Sequence, residues 1–264
     1  MKIAVLGSKS LPAFAGADRV AENIVQHLPA DDGHRYHVYV VRTPAQPRPF
    51  DHAPNVRVIP IPALNGKHSK ATTYFFLSAL HCALVLRPDL AHVHDSAFGP
   101  FAWILRVLRP RMPLLGTFHG NPYERAKWSR FAKTFLRFSE SAFIRACSAL
   151  TTVARAKVAD VQARSHTPIE FIPNGVNPKP EIPKTLLAEK YGLVPGRYLM
   201  FAAGRMDPTK GLHHLLHAYD KLKPAFPLLV VGGFEGPNQD YSANLLARCR
   251  AAEHVALSPT LPPT

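Results

Sequence analysis

The sequence has 264 residues, of which 47% are hydrophobic and 19% charged, a composition typical of a folded globular protein rather than of a disordered chain. It carries 32 Lys and Arg against 18 Asp and Glu, a formal net charge of +14 that attracts nucleic acid, anionic lipid headgroups or phosphorylated small molecules. Three widely spaced cysteines exclude a disulfide scaffold and a paired-cysteine zinc site, and they fit a reducing, cytoplasmic compartment.

Short apolar runs alternate with segments of helical periodicity, a pattern typical of a parallel α/β sheet. In the first part of the chain the predicted strands are 3–7, 36–41, 56–61, 90–94, 113–118, 150–153 and 169–172. The predicted helices are 17–28, 72–86, 98–108, 124–146 and 154–164. The longest apolar stretch, 74–86, is shorter than the ~20 residues that span a bilayer, so we expect no crossing of a membrane.

A segment with four prolines, 173–183, separates this series from a second one and predicts a linker between two Rossmann-like domains, 1–176 and 177–264. In the second domain the predicted helices are 185–191, 212–222 and 241–252, and the predicted strands are 198–203, 228–231 and 254–257. A sheet usually has about 5–6 strands, so the second domain is expected to be incomplete and the chain cut short.

Polar side chains follow two neighbouring strands. His92 and His94 lie two residues apart at the end of one strand and therefore point the same way, and His119 follows the next strand. A zinc site needs further ligands that no neighbouring segment offers clearly, so a polar cluster lining a shared pocket is the preferred interpretation.

Two loops between a strand and a helix are candidates for phosphate binding, because helix amino termini attract anions. The first is 9–16, which lacks the GxGxxG pattern and is equally consistent with an ordinary turn. The second is 204–211, in which Arg205 and Lys210 suit a diphosphate; the alternative is a solvated basic turn. The histidines of the helix after it, His213, His214 and His217, lack the glutamate of a zinc-protease motif.

The predicted helix 124–146 is amphipathic. Its apolar face and its basic face are opposed: Trp128, Phe131, Phe135, Phe138 and Ala142 on the first, Arg130, Lys133 and Arg137 on the second. One interpretation is docking on an anionic membrane surface. The more common arrangement, and the one expected here, is a helix packed on the core by its apolar face with a solvated basic face.

Taken together these segments resemble the retaining glycosyltransferases of family 4, two-domain enzymes of the α/β GT-B fold. Residues 7–18 are similar to the family's opening, with Ala15 in place of a glycine and Asp18 in place of a glutamate. Residues 117–128 resemble a branch that builds bacterial exopolysaccharide and O-antigen and includes rhamnosyltransferases. Residues 172–176 match the end of the first domain, and residues 204–211 match the donor-diphosphate loop.

The resemblance implies transfer of a sugar from a nucleotide-diphosphate donor to a glycan or lipid-linked acceptor, with retention and without a metal or other cofactor. It places the reaction in a cleft between the domains of a cytoplasmic protein, peripheral on the inner face of the plasma membrane, with no specific nucleic-acid partner. The implied roles are catalysis at the donor sugar for His119, diphosphate binding for Gly204, Arg205 and Lys210, a substrate or phosphate loop for Gly16 and Asp18, and a hinge for Asn174 and Gly175.

One departure from the family concerns its pair of glutamates, seven residues apart, that bind the donor ribose and sugar. After the diphosphate loop this sequence has only Glu235 and Glu253, eighteen apart. We therefore expect little or no transferase activity from these 264 residues alone, and robust turnover would contradict that expectation. The alternative function is a non-catalytic basic module that binds anionic membrane or glycan surfaces. A phosphorylase of the same fold class is a third option, for which no pyridoxal-binding lysine motif is visible.

Overall fold

The computed structural model describes residues 1–13, 16–28, 33–66, 69–121, 123, 128–176, 190–204, 206–234, 239–252 and 255–258, without the side chains of 239 and 258. The chain divides into two compact units, Met1–Val176 and Asn177–Thr264. Among the described residues, no helix is both long and apolar enough to cross a membrane.

The first unit is built on an eight-stranded sheet. Its strands are β1 (Lys2–Leu6), β2 (Arg35–Val41), β3 (Phe50–Ala53), β4 (Val56–Ile61), β5 (Leu90–Val93), β6 (Leu114–Phe118), β7 (Ala149–Thr152) and β8 (Ile169–Phe171). The strand order is β3-β4-β2-β1-β5-β6-β7-β8, and every neighbouring pair is parallel except β3 with β4. Because the strands are parallel, the carboxyl ends of seven of them lie at one edge of the sheet.

Helices cover both faces of this sheet. They are α1 (Gly16–His27), α2 (Ser69–His81), α3 (Gly99–Leu108), α4 (Arg130–Ala146) and α5 (Arg155–Gln162). Successive residues of a strand point to opposite faces. Accordingly Val5 packs in one apolar cluster with Val25 of α1, whereas Leu6 packs in the other with Leu105 of α3 and Phe143 of α4.

Three elements differ from the sequence predictions. Strand β3 was not predicted, and the helix predicted over 72–86 begins at Ser69 and turns into a π-helical segment, Cys82–Leu86, that stops where Arg87 adopts φ 50°. The helix predicted over 124–146 begins only at Arg130, because the Ser129 hydroxyl accepts a hydrogen bond from the Ala132 amide (3.3 Å) and caps it. Residues 124–127 lie outside the described part.

The expected packing of α4 through its aromatic face is wrong. Phe131, Phe135 and Phe138 are exposed, the first of them to 83%. Among the residues of the predicted apolar face, only Ala142 is buried. The helix packs on the core through the adjacent side, which carries Leu136, Ser139, Glu140, Phe143, Ile144 and Ala146. The buried side of α4 thus includes the polar Ser139 and the acidic Glu140, while three phenylalanines face solvent. The elements that pack against α4 explain this arrangement.

The second unit contains a three-stranded parallel sheet in the order β11-β10-β9. Its strands are β9 (Leu199–Ala203), β10 (Leu228–Gly232) and β11 (Val255–Ser258), and its helices are α6 (Leu212–Leu222) and α7 (Gln239–Ala251). Leu212, Leu216, Leu228, Val230 and Leu245 form the centre of its apolar core. The predicted helix 185–191 and linker 173–183 fall largely outside the described residues.

Candidate functional site

The carboxyl end of β1 approaches the carboxyl end of β5 very closely. The amide of His94 donates a hydrogen bond to the Leu6 carbonyl (2.9 Å), and Gly7 turns the chain away with φ +91°. A Cβ at Gly7 would lie 2.9 Å from the Asp95 amide nitrogen, so both the backbone angle and the space require glycine. The loop after β1 is therefore held directly against the polar residues that end β5.

Asp18 organises this loop from the first turn of α1. It is buried, and its carboxylate accepts hydrogen bonds from the Lys9 amide (2.8 Å) and the Ser10 hydroxyl (3.5 Å). Burial raises the pKa of Asp18, although the bond from Lys9 opposes the shift. Gly16 begins α1 with open space around it, while Ala15 before it lies outside the described residues. In this structure Asp18 contacts the loop backbone; a contact with substrate stays a prediction.

Three histidines meet at the ends of β5 and β6, as the spacing predicts. His94 Nδ1 lies 3.0 Å from His119 Nε2, and the rings of His92 and His94 are 3.9 Å apart. Two threonines that the sequence analysis did not single out extend the network: His92 Nε2 lies 2.8 Å from the Thr117 hydroxyl, which lies 2.7 Å from that of Thr151 on β7. Their position identifies them, because Thr117 on β6 and Thr151 on β7 lie at the same sheet edge as the histidines.

Two buried polar atoms at this edge have no hydrogen-bond partner among the described residues, His94 Nε2 and Ser8 Oγ. Buried polar groups are normally hydrogen-bonded, so such atoms are candidates for contact with a ligand or an ordered water. Ser8 follows Gly7 and was not singled out from the sequence, because serine after a strand is common and carries no pattern of its own.

Burial lowers the pKa of all three imidazoles. His92 is lowered to about 4, His94 well below its ordinary value, and His119 less, because Asp95 opposes the shift. At neutral pH the cluster is therefore uncharged. Neutral imidazoles exchange hydrogen bonds with hydroxyl groups and do not supply the positive charge that a phosphate needs, so the cluster suits an uncharged polar ligand better than a phosphate.

The histidine cluster predicts a pH dependence of stability. An unfolded histidine takes up a proton near pH 6.5, whereas these folded imidazoles stay neutral to lower pH, so stability is complete above pH 6.5 and declines as the pH falls towards 4. The slope is about 1.4 kcal/mol per pH unit for each imidazole that responds fully. Urea unfolding at about pH 7.5, 6 and 5 measures it.

The matched variant is His92→Gln, which removes one proton from the slope. Equal slopes in the wild type and His92→Gln would show that His92 takes up its proton equally in both states, against this account.

The second candidate loop follows β9 in the second unit. Met206 anchors it: its amide donates to the Gly233 carbonyl (2.9 Å), and its carbonyl accepts from the Ser242 hydroxyl (2.9 Å). A short 3₁₀ turn, Pro208–Lys210, follows and is capped by the Asp207 carboxylate, which accepts from the Thr209 amide (3.0 Å). The turn ends at Gly211, whose φ of +78° leads directly into α6.

This geometry leaves Gly204 and Lys210 exposed on a loop that is tied down at Met206. Gly204 has open space where a side chain would be, so a ligand can approach its backbone. Arg205 lies outside the described residues. His213, on the first turn of α6, pairs with the Tyr241 hydroxyl through Nδ1 (2.6 Å). In the part of the chain that the structure describes, no three His, Cys, Asp or Glu side chains are grouped to hold a metal ion.

Asn174 and Gly175 lie exposed after β8, at the end of the first unit. Their proposed role as a hinge stays a prediction. Of the predicted site residues, the structure brings His119 together with His92 and His94 at one sheet edge. Gly204 and Lys210 are both exposed in the loop 204–211 of the second unit.

Comparison with known proteins identifies the chain's relatives. Residues 183–264 match the model of Glycosyl transferases group 1. The "uncharacterized glycosyltransferase YqgM" of Bacillus subtilis is 31% identical over 181 residues, which are 66% of this chain and 47% of YqgM, so the chain spans about half the length of that relative.

Among solved structures, HepE of Anabaena in complex with UDP-glucose superimposes with a TM-score of 0.69 at 19% identity, over 99% of this chain and 70% of HepE. UDP-GlcNAc 2-epimerase of Neisseria meningitidis, bound to UDP-GlcNAc, gives 0.64 at 12% identity, over 99% of this chain and 73% of the epimerase. These likenesses show the fold, which is GT-B. Residues 14–179 match the model of Glycosyltransferase Family 4, and with well over half of its length in that match the chain belongs to this family.

Proposed function

We propose that this chain belongs to a retaining glycosyltransferase, and that its second unit binds the diphosphate of a nucleotide-sugar donor through the loop 204–211. The observation that carries the proposal is the exposed Lys210 on an anchored loop at the carboxyl end of a parallel strand, immediately before α6. Ligands of open α/β sheets bind at that edge, and the first turn of a helix attracts phosphate.

The chemistry expected of this loop is charge neutralisation. As the bond between the sugar and the diphosphate breaks, negative charge grows on the leaving oxygens, and fixed cations beside them lower the barrier. Lys210 supplies one such charge, and Arg205 supplies a forked donor that suits two phosphate oxygens. With two cations in this role the proposed reaction needs no metal ion. Gly204 allows the diphosphate to approach the backbone.

In this proposal the first unit binds the acceptor and also contacts the donor sugar. His119 exchanges hydrogen bonds with hydroxyls of the donor sugar as a neutral imidazole, supported by its contact with His94. The loop after β1, held by Asp18 and continuing to Gly16, contacts the acceptor or the phosphate. HepE and the epimerase, whose structures hold UDP-glucose and UDP-GlcNAc, favour a UDP-sugar as the first donor to try.

The finer assignment rests on residues 117–128, which resemble the exopolysaccharide and O-antigen branch with its rhamnosyltransferases. On that basis the acceptor is a glycan or a lipid-linked saccharide, and the pathway is the synthesis of cell-surface polysaccharide. A cytoplasmic location is supported by the three cysteines, which are all free and buried.

A matched pair of variants tests the donor loop. Lys210→Ala is expected to weaken binding of UDP-glucose about tenfold or more, because a charge-assisted hydrogen bond to phosphate is lost. Lys221→Ala removes the same charge from the last turn of α6 and should leave the affinity within about twofold, the size expected of a screened charge at a distance. Titration calorimetry of the 264-residue chain measures both. Equal affinities for the two variants would contradict the assignment.

A further inference from the structure

His94 is the most deeply buried member of the histidine cluster, and it contacts His119 through one ring nitrogen. The residue is 2% exposed, and its Nδ1 lies 3.0 Å from His119 Nε2. Its other ring nitrogen, Nε2, has no hydrogen-bond partner within the described residues. His119 is partly exposed, and within the same part of the chain its Nδ1 makes no hydrogen bond. The two rings thus form a row of four nitrogens in which the inner two are in contact.

This contact couples the protons of the two rings. Burial lowers the pKa of both, so both are neutral near pH 7, and a neutral imidazole carries one proton on one of its two nitrogens. The 3.0 Å contact is a hydrogen bond only if one of its two nitrogens carries a proton and the other does not. Two protons would collide there, and two lone pairs would repel each other. Both rings must therefore be protonated at Nδ1, or both at Nε2.

The burial of His94 decides between these two states. With Nε2 protonated in both rings, His94 would hold a buried N–H without an acceptor within the described residues. With Nδ1 protonated in both, its N–H is used by His119, and only a lone pair is left over. Among backbone groups, buried donors without a partner are rarer than buried acceptors with an unused lone pair, and the same reasoning applies to a ring nitrogen. The state with Nδ1 protonated is therefore the expected one.

We propose that His94 is a positioning residue, which donates from Nδ1 to His119 Nε2 and thereby makes His119 a hydrogen-bond donor at Nδ1, directed to a hydroxyl oxygen of the bound sugar. The nitrogen that is protonated in a histidine is set by the hydrogen bond that the other nitrogen makes. Without this partner His119 would populate both tautomers and would present a donor to the sugar for only part of the time. The sugar as ligand rests on the proposed function, whereas the tautomer of His119 does not.

The surroundings of His94 fix the direction of its ring. Its amide donates to the Leu6 carbonyl (2.9 Å), and its ring lies 3.9 Å from the ring of His92. His92 is itself held by the Thr117 hydroxyl, 2.8 Å from its Nε2. Groups that are locked by their neighbours lose little freedom when a ligand binds, which is the property expected of a positioning residue.

A purely structural role does not account for His94. A buried imidazole with one unused nitrogen costs stability, and an apolar side chain of similar size would avoid that cost. The other nitrogen is spent on a residue that is only partly exposed and ends in the candidate site, rather than on the backbone of the fold. The cost is explained if the state of His119 depends on it.

The tautomers can be measured on the 264-residue chain without a ligand. Long-range nitrogen–proton correlation spectra of the histidine-labelled chain near neutral pH distinguish a protonated from an unprotonated ring nitrogen. We expect Nδ1 to be protonated and Nε2 unprotonated in both His94 and His119. In His94→Leu, which removes the partner, His119 should give the averaged signals of both tautomers.

Two matched variants complete this measurement. His94→Asn places a side-chain amide where Nδ1 of the histidine stands, so it can donate in the same way and should restore the Nδ1-protonated state of His119. His217→Asn changes an exposed histidine of α6 and should leave the signals of His119 as they are.

The ligand readout is the difference between the affinities for UDP-glucose and for UDP, since only the first carries the sugar. His94→Leu should weaken binding of UDP-glucose about fivefold, the size of one hydrogen bond, and leave the affinity for UDP within about twofold. His94→Asn should recover most of the loss. Equal losses for the two ligands would show a structural role and would contradict the proposal. Titration calorimetry measures all four values.

A wild-type His119 that is protonated at Nε2 would overturn the proposal, and this result needs no variant to fold. A His119 that keeps Nδ1 protonated in the folded His94→Leu variant would also overturn it, because the tautomer would then not depend on His94. Failure of the wild-type chain to bind UDP-glucose and UDP would instead contradict the proposed function, while the spectra would still decide whether His94 sets the state of His119.

Discussion

Replacing Lys157 by methionine is expected to lower the free energy of unfolding by about 3 kcal/mol, because the change takes from a buried carboxylate one of its two cationic partners. Glu140 of α4 is wholly buried, and the Lys157 ammonium of α5 donates to both of its oxygens at 3.0 and 3.2 Å. Arg164 still reaches one oxygen at 2.6 Å, which keeps the loss at the lower end of the range for broken buried pairs. Urea unfolding measures the change.

Two further variants sharpen this result. Arg248→Met breaks an ion pair with Asp220 that is exposed on both sides, and it should cost less than about 1 kcal/mol. The double variant Lys157→Met/Glu140→Leu removes both buried charges and should be more stable than Lys157→Met alone, since apolar residues of similar volume replace an ion pair at little cost. A loss for Lys157→Met as small as that for Arg248→Met would contradict the account of α4.

The second large effect is expected at Gly99, the first residue of α3. A Cβ built there would lie 1.9 Å from the Ser139 carbonyl oxygen and 2.7 Å from the Phe143 amide nitrogen, both backbone atoms of α4. The two helices must move apart to admit a methyl group, so Gly99→Ala is expected to cost about 3 kcal/mol or more, at the upper end for overpacked cores.

The matched control is Gly16→Ala at the first residue of α1, where a Cβ meets nothing within 4 Å. This change should stay within about 0.5 kcal/mol of the wild type. Similar losses for the two glycine variants would show that α3 and α4 are not in backbone contact at Gly99.

The buried strands could be predicted from the sequence because they are short apolar runs of strand length. Strand β3 could not, since its residues Phe50–Ala53 include an aspartate and a histidine and gain their strand conformation by pairing with β4. The orientation of α4 was mispredicted for a related reason. The helical periodicity of α4 predicts that the aromatic stripe is the core face. In the structure, the close approach of Gly99 favours the small Ser139 in the interface, and the buried Lys157 favours Glu140 as its ion-pair partner.

In the candidate site, too, some features could be predicted from the sequence and others could not. The meeting of His92, His94 and His119 follows from two-residue alternation and from the alignment of parallel strand ends, both readable from the sequence. The role of Asp18 in holding the loop after β1 depends on a hydrogen bond between residues nine apart, for which the sequence carries no local pattern. That the Ser8 hydroxyl has no hydrogen-bond partner within the described residues matters because it is buried, and only the assembled sheet defines that burial.

The central claim, that the loop 204–211 recognises the diphosphate of a nucleotide sugar, is tested most directly by competition. Saturation-transfer NMR on the 264-residue chain with UDP-glucose, and with UDP, UMP, glucose and heparin as competitors, separates the ligand chemistries. The account predicts that UDP displaces UDP-glucose, whereas UMP, with one phosphate fewer for Lys210 to contact, competes about tenfold less well and glucose does not compete. Displacement by heparin together with equal competition by UDP and UMP would contradict it and would instead support a basic module for anionic surfaces.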